Sequence, residues 1–134
     1  MKPSIDSVKL YNIKNLVEEN GSLSFLELPF FASRIFSVYG VRAGDIRGNH
    51  AHRECEQLLV CQSGKINVTC DDGERRIVYT LESPLQALHI PPMIWAEQYY
   101  HSENSILIGL ASHPFEEEDY IRDYSTYKEA VSKS

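Results

Sequence analysis

An all-β fold is predicted by three observations. Gly, Pro and Asn/Asp pairs punctuate most of the chain about every eight to twelve residues, the interval of short strands in a sandwich or barrel. The stretches between them are rich in Ile, Val, Leu, Tyr and Thr, side chains that suit a pleated surface. Within Cys70-Asp71-Asp72-Gly73-Glu74 an Asp-Gly pair separates two alternating apolar runs, a signal for a tight hairpin, and Ser63-Gly64 marks a second turn.

In chain order, strands are expected at Ser22 to Glu27, Ser33 to Arg42, His50 to His52, Glu56 to Gln62, Lys65 to Asp71, Arg75 to Leu81, Ala87 to Ile90, Ala96 to Tyr100 and Ser105 to Ala111. After Pro114 the texture changes. The run from Phe115 to Val131 places acids first and Lys later, the polarity of a short helix or two helical turns. That tail is expected to pack outside the sheets through Tyr120, Ile121, Tyr124 and Tyr127. With no internal repeat, low-complexity run or long linker, residues 1–134 read as one β domain with a short C-terminal helical segment.

Composition excludes several classes. The 134 residues hold one ordinary domain but not two. Nineteen acidic against 13 basic residues give a net charge of −6, and the longest basic block is the pair Arg75, Arg76, so no nucleic-acid partner is expected. The apolar stretches Ile106 to Leu110 and Leu58 to Cys61 fall far below the ~20 residues that span a bilayer. The first 20 residues show no signal-peptide core, so the expected compartment is the cytoplasm. Cys55, Cys61 and Cys70 are odd in number and lack CxxC spacing, which favours buried free thiols over disulfides or structural zinc. No nucleophile elbow and no Gly-rich phosphate loop occurs. His89 reads as a structural histidine, and His101 and His113 lie beside turns.

The informative stretch runs from Gly44 to Gln57 and contains His50-Ala51-His52. In an extended segment His50 and His52 point to one side and Ala51 to the other. Such a pair can ligate a metal, act as acid and base, or hydrogen-bond in a polar core.

Gly44, His50, His52 and Gly64 resemble the first cupin motif, with Gln57 or Glu56 at the carboxylate position. The second motif would fall on Pro91 to Ala96, where Met93 replaces its glycine and Ala96 its histidine. Two imidazoles and one uncertain oxygen make a poor metal site, so neither metal nor other cofactor is expected. The resemblance goes further. Arg47-Gly48-Asn49-His50-Ala51-His52, then Glu56-Gln57-Leu58-Leu59-Val60-Cys61, Leu110-Ala111-Ser112 and Asp119-Tyr120-Ile121-Arg122-Asp123-Tyr124 resemble the nucleotide-sugar 3,4-ketoisomerase family (WxcM-like cupins) from about Gly21 to Tyr127. This implies a cupin or jelly-roll β-barrel and conversion of dTDP-4-keto-6-deoxy-D-glucose to a dTDP-3-keto-6-deoxyhexose, on the way to 3-amino sugars of surface polysaccharides such as O-antigen.

Moving a carbonyl from C4 to C3 removes the C3 proton, forms an enediolate and reprotonates C4. Histidine can carry such a proton near neutral pH. The resemblance assigns His50 the principal acid/base role, with His52 completing the shuttle or holding the O3/O4 hydroxyls. The enediolate and the diphosphate need local cations on an acidic protein, and Arg34, Arg42 and Arg47 are the available set. Trp95, with Tyr99 or Tyr100, is a candidate to sandwich the base. Glu97 shares the face of Trp95, and Gln57 is a further substrate contact. Relatives often carry tyrosine where Phe36 stands and His or Arg where Ala96 stands, both facing substrate. The acid role of that tyrosine then passes to Tyr39, water or the second histidine, and the C4 configuration of the product, gluco or galacto, is left open. A metal-dependent cupin enzyme, a non-catalytic sugar-binding cupin and a related epimerase are the competing readings. A homodimer is expected, with exchanged N-terminal strands, through Leu23 to Leu26 and Pro29 to Phe31.

Overall fold

The computed structural model describes residues 2–133. Its strands are β1 (Lys9–Asn12), β2 (Lys14–Glu18), β3 (Gly21–Phe25), β4 (Arg34–Val38), β5 (Ile46–His52), β6 (Gln57–Ser63), β7 (Ile66–Asp71), β8 (Arg76–Leu81), β9 (Gln86–Ile90), β10 (Trp95–Tyr100), β11 (Ile106–Ala111) and β12 (Tyr120–Ile121), followed by helix α1 (Tyr124–Ser132). One antiparallel sheet runs β1-β9-β6-β11-β4, a second runs β12-β5-β10-β7-β8, and β2-β3 stand apart as a hairpin. The fold is therefore the expected β class, built as two sheets rather than one closed barrel.

Alternation explains the core. Leu59, Cys61, Leu88, Ile90 and Leu107 of the first sheet meet Ile66, Val68, Cys70, Leu81, Ala96 and Tyr100 of the second in one buried cluster. All three cysteines are free and buried, as their spacing suggested.

The Asp-Gly hairpin forms between β7 and β8, with Asp71 opposite Arg76. Gly73 adopts φ +96°, and the Asp72 carboxylate accepts from the backbone N–H groups of Glu74 and Arg75, both at 2.8 Å.

Three expectations need correction. β1 and β2 lie in a polar, largely exposed stretch that carries no clear alternation. The strand expected at Ser33 to Arg42 ends at Val38, and that expected at His50 begins at Ile46. The tail has two helical pieces rather than one: a single 3-10 turn at Glu117–Asp119 holds the acids, and α1 begins at Tyr124. Between them Tyr120 pairs with His52 and Ile121 with Ala51, so a short strand interrupts the expected helix. Asp123 is the true N-cap, accepting from the N–H of Thr126 at 2.9 Å.

Helix α1 covers the outer face of the second sheet, where Tyr127 and Val131 join Ala51, Trp95 and Ile121 in a second buried cluster. Tyr124 donates to Asp71 Oδ2 at 2.7 Å, and Arg76 Nε reaches the same oxygen at 2.8 Å. The fully buried Tyr127 hydroxyl lies 2.9 Å from the carbonyl of Asp71 and 2.8 Å from that of Met93. Removing that hydroxyl strands buried carbonyl groups, so Tyr127→Phe is expected to cost about 1–2 kcal/mol in urea unfolding, whereas Ser125→Ala, at an exposed position, moves the midpoint little.

Candidate active site

A bulge in β5 builds the site. Opposite β10, Gly48 pairs with Glu97 and His50 with Ala96, leaving Asn49 as a surplus residue. Gly48 has φ +93° and Asn49 φ 54°, the left-handed region that a bulge of this kind uses. A Cβ on Gly48 would also lie 3.1 Å from the carbonyl oxygen of Ala96 and 3.2 Å from Gln98 Nε2. In a regular strand Arg47 and His50 would face opposite sides. The extra residue brings both into one cavity of about 270 Å³, together with Arg34 and Phe36 of β4, Gln57 of β6, Gln98 of β10, and Tyr120 and Arg122 from the C-terminal segment.

His50 places Nδ1 3.0 Å from the carbonyl oxygen of Gly48, which accepts its proton and leaves Nε2 without a hydrogen-bond partner among the described residues. Burial pushes its pKa down to about 4, against the opposing pull of that carbonyl and with help from His52 and Arg122. The ring is thus a neutral base at neutral pH.

His52 stands differently. Its Nδ1 lies 2.9 Å from Asp119 Oδ2, and its Nε2 lies 3.2 Å from Gln57 Nε2. Burial lowers the His52 pKa even against Asp119. Burial alone would raise the Asp119 carboxyl, but the N–H of Glu54 and the His52 ring hold it below its ordinary value. Both ring nitrogens are occupied, so the geometry gives His52 an orienting part and leaves the free lone pair to His50. His52, Cys55 and Asp119 bring possible metal-donor atoms within 4.8 Å of one another. Here Asp119 already accepts from His52, from Glu54 N at 2.7 Å and from Cys55 N at 3.4 Å.

Tyr120 lies over both histidines, with ring centroids 5.0 Å from His50 and 4.3 Å from His52. Its hydroxyl accepts from Arg34 at 3.2 Å, and the Arg122 guanidinium sits 4.2 Å from its ring centroid. Arg34 Nε is buried and unpartnered. The cavity thus gathers three guanidinium groups, from Arg34, Arg47 and Arg122, around a neutral base.

The structure brings together His50, His52, Arg34, Arg47, Phe36 and Gln57 and separates the rest. Trp95 and Glu97 lie on the other face of β10: Trp95 is 3% exposed, packs against Tyr124 and Tyr127, and donates to Glu97 at 2.9 Å. Neither lines the cavity, because Ala96 and Gln98 take the inward parity. Tyr100 is buried and donates to Gln98, while Tyr99 meets His101 edge-on. Arg42 lines an adjoining groove of about 420 Å³ with Tyr39, Asp45 and Arg47. Tyr39 is 73% exposed there, so the phenol beside His50 is that of Tyr120. Tyr120, Arg122 and Asp119 received no site role from sequence alone, although the Asp-Tyr-Ile-Arg segment had marked the place.

Phe36 depends on its cross-strand neighbour. It pairs with Gly109, and a Cβ at that glycine would collide with the Phe36 ring.

The chain matches the family model described as "FdtA: WxcM-like, C-terminal" over residues 6–132. It is 35% identical over 129 residues to the TDP-4-oxo-6-deoxy-alpha-D-glucose-3,4-oxoisomerase of Aneurinibacillus thermoaerophilus, covering 93% of each chain. The sugar 3,4-ketoisomerase QdtA of Thermoanaerobacterium thermosaccharolyticum, solved with TDP, superposes with a TM-score of 0.91 at 28% identity, covering 97% of this chain and 98% of that one. A histidine-to-asparagine variant of the same enzyme has been solved with TDP-4-keto-6-deoxyglucose. A 3,4-ketoisomerase from Helicobacter canadensis gives a TM-score of 0.90 at 32% identity, covering 94% of this chain and 98% of that one.

A methyl group at residue 109 must drive the Phe36 ring off its seat. Gly109→Ala is expected to cost about 1–3 kcal/mol in urea unfolding and to weaken binding in the cavity roughly tenfold, read by calorimetric titration with TDP-4-keto-6-deoxyglucose. Serine at the exposed position Ser37 changed to alanine serves as the neutral control.

Proposed function

Because the chain belongs to the FdtA, WxcM-like C-terminal family, we infer that it is a sugar 3,4-ketoisomerase that moves the carbonyl of TDP-4-keto-6-deoxyglucose from C4 to C3, with His50 as the proton carrier. The observation that supports this most is the unpartnered Nε2 of His50, on a ring fixed by the Gly48 carbonyl, within a cavity rich in cations. The base takes the C3 proton, the electron pair forms the C3=C4 bond as O4 takes the charge of the enediolate, the O3 proton passes to O4, and the same nitrogen returns a proton to C4 as the carbonyl forms at C3. Arg34, Arg122 and the Tyr120 hydroxyl surround the place where oxygen charge develops. The low pKa of His50 keeps the basic form available and makes its conjugate acid a ready donor.

The cavity and the Arg42 groove share Arg47. We place the sugar in the first and the TDP moiety across the second, with Arg47 and Arg42 at the diphosphate and exposed Tyr39 available to stack on the base. Phe36 and Gln57 contact the sugar. Trp95 and Glu97 serve packing instead. Among the described residues no helix is long and apolar enough to cross a membrane, and a nucleotide-linked substrate suits a cytoplasmic enzyme.

The β2-β3 hairpin supports a homodimer. It joins neither large sheet, yet it carries Leu16, Val17, Leu23 and Phe25 at 41, 76, 57 and 41% exposure. A two-stranded hairpin is marginal by itself in water, so a second copy that receives these strands supplies the missing apolar partner.

Proton NMR of TDP-4-keto-6-deoxyglucose with the enzyme in D2O is expected to show a 3-keto species with deuterium at C4, at a rate that a chelator leaves unchanged. His50→Asn should cut turnover roughly 10²–10⁴-fold while keeping TDP affinity. Protonation removes the base, so kcat/KM should hold on its plateau as pH falls from 8 to 5 and drop only on approach to about 4. An unchanging substrate spectrum would reject the assignment. Val17→Asp with Leu23→Asp should shift the chain from dimer to monomer in sedimentation velocity; a monomeric parent would rule the dimer out.

A further inference from the structure

The chain Asp119–His52–Gln57 has a direction. Asp119 Oδ2 lies 2.9 Å from His52 Nδ1, and His52 Nε2 lies 3.2 Å from the amide nitrogen of Gln57. A carboxylate can only accept, so the proton of a neutral His52 stands on Nδ1 and Nε2 is bare. Gln57 must then donate to it through its NH2 group, and its Oε1, which has no partner among the described residues, is left for the cavity that Gln57 lines. The guanidinium groups of Arg34, Arg47 and Arg122 around that cavity are all donors. A sugar hydroxyl entering among them needs an acceptor for its proton.

We propose that Asp119 is a positioning residue which, through the tautomer of His52, fixes Gln57 as the acceptor of a sugar hydroxyl and so selects the hydroxylated ring. The proposal rests on the ketoisomerase reading for the identity of the sugar, and on the hydrogen-bond geometry for the relay. The backbone makes the relay testable by one substitution. Asp119 Oδ1 accepts from Glu54 N at 2.7 Å, while Oδ2 faces His52 and, at 3.4 Å, Cys55 N. In Asp119→Asn the side-chain oxygen stays with Glu54 and the new NH2 faces Nδ1. The His52 proton must then move to Nε2, and Gln57 must turn over and present its NH2 to the substrate. Adding Gln57→Glu restores the polarity, because one oxygen accepts from the new Nε2–H and the other again faces the cavity as an acceptor.

Histidine side-chain ¹⁵N NMR on the intact enzyme reads the tautomer directly. His52 is expected to be protonated on Nδ1 in the parent and on Nε2 in Asp119→Asn. In steady-state kinetics Asp119→Asn should lower kcat/KM roughly tenfold or more, about the value of one hydrogen bond, with TDP affinity within about twofold of the parent. The double variant should recover at least half of that loss on a logarithmic scale. A merely structural carboxylate predicts instead that the second substitution deepens the loss. The proposal is overturned by a parent His52 protonated on Nε2, by Asp119→Asn with unaltered kcat/KM, or by a double variant no better than the single one. A parent that binds TDP but leaves the keto sugar unchanged would sink the assigned reaction, while the ¹⁵N spectra would still accept or reject the relay.

Discussion

The surplus residue Asn49, set where Gly48 turns through a positive φ, decides which side chains of β5 share a face. Without it Arg47 would point away from His50, and the carbonyl of Gly48 would not lie under the imidazole. The bulge therefore does two jobs. It brings a cation and a base together, and it fixes the tautomer of that base. The opposing strand pins the bulge, since the space above Gly48 is bounded by the backbone of Ala96 and the amide of Gln98.

The same strand receives the C-terminal segment. Asp119 ties the loop after β5 to the tail, β12 pairs with the histidine-bearing residues, and α1 is held over the sheet by the contacts of Tyr124 and Tyr127 with β7. Tyr120 and Arg122 reach the cavity because they lie between these two attachments. The second hydrophobic cluster thus acts at a distance from the chemistry. Its burial holds the strap that completes the cavity wall.

Much of this was legible in the residues. The Asp-Gly turn, the strand texture and the His-Ala-His pair each announce local geometry with a physical cause. The parity of β10 was not legible: Trp95-Ala96-Glu97-Gln98-Tyr99-Tyr100 carries an aromatic on both faces, and only pairing with β5 and β7 shows that Ala96 and Gln98 face inward. The bulge escaped for a related reason, since a Gly-Asn step inside a short strand looks like a turn until the partner strand supplies a register. The acidic start of the tail does form a helical turn, a local outcome of local charge order, whereas the strand at Tyr120 that cuts it off from α1 is made by a residue 68 positions earlier, His52. Exposed β1 and β2 lack the alternation that burial imposes on a strand.

Gly109 contributes no side chain, so the shape of the cavity at that end is inherited from whatever stands opposite, here the ring of Phe36. The two strands divide the labour: residue 109 supplies only backbone, and residue 36 alone sets the volume of that wall, so a smaller side chain at residue 36 would enlarge the cavity while leaving the β4–β11 pairing intact. Reversing the roles closes that option, because once residue 109 carries a side chain the facing ring must shrink or move.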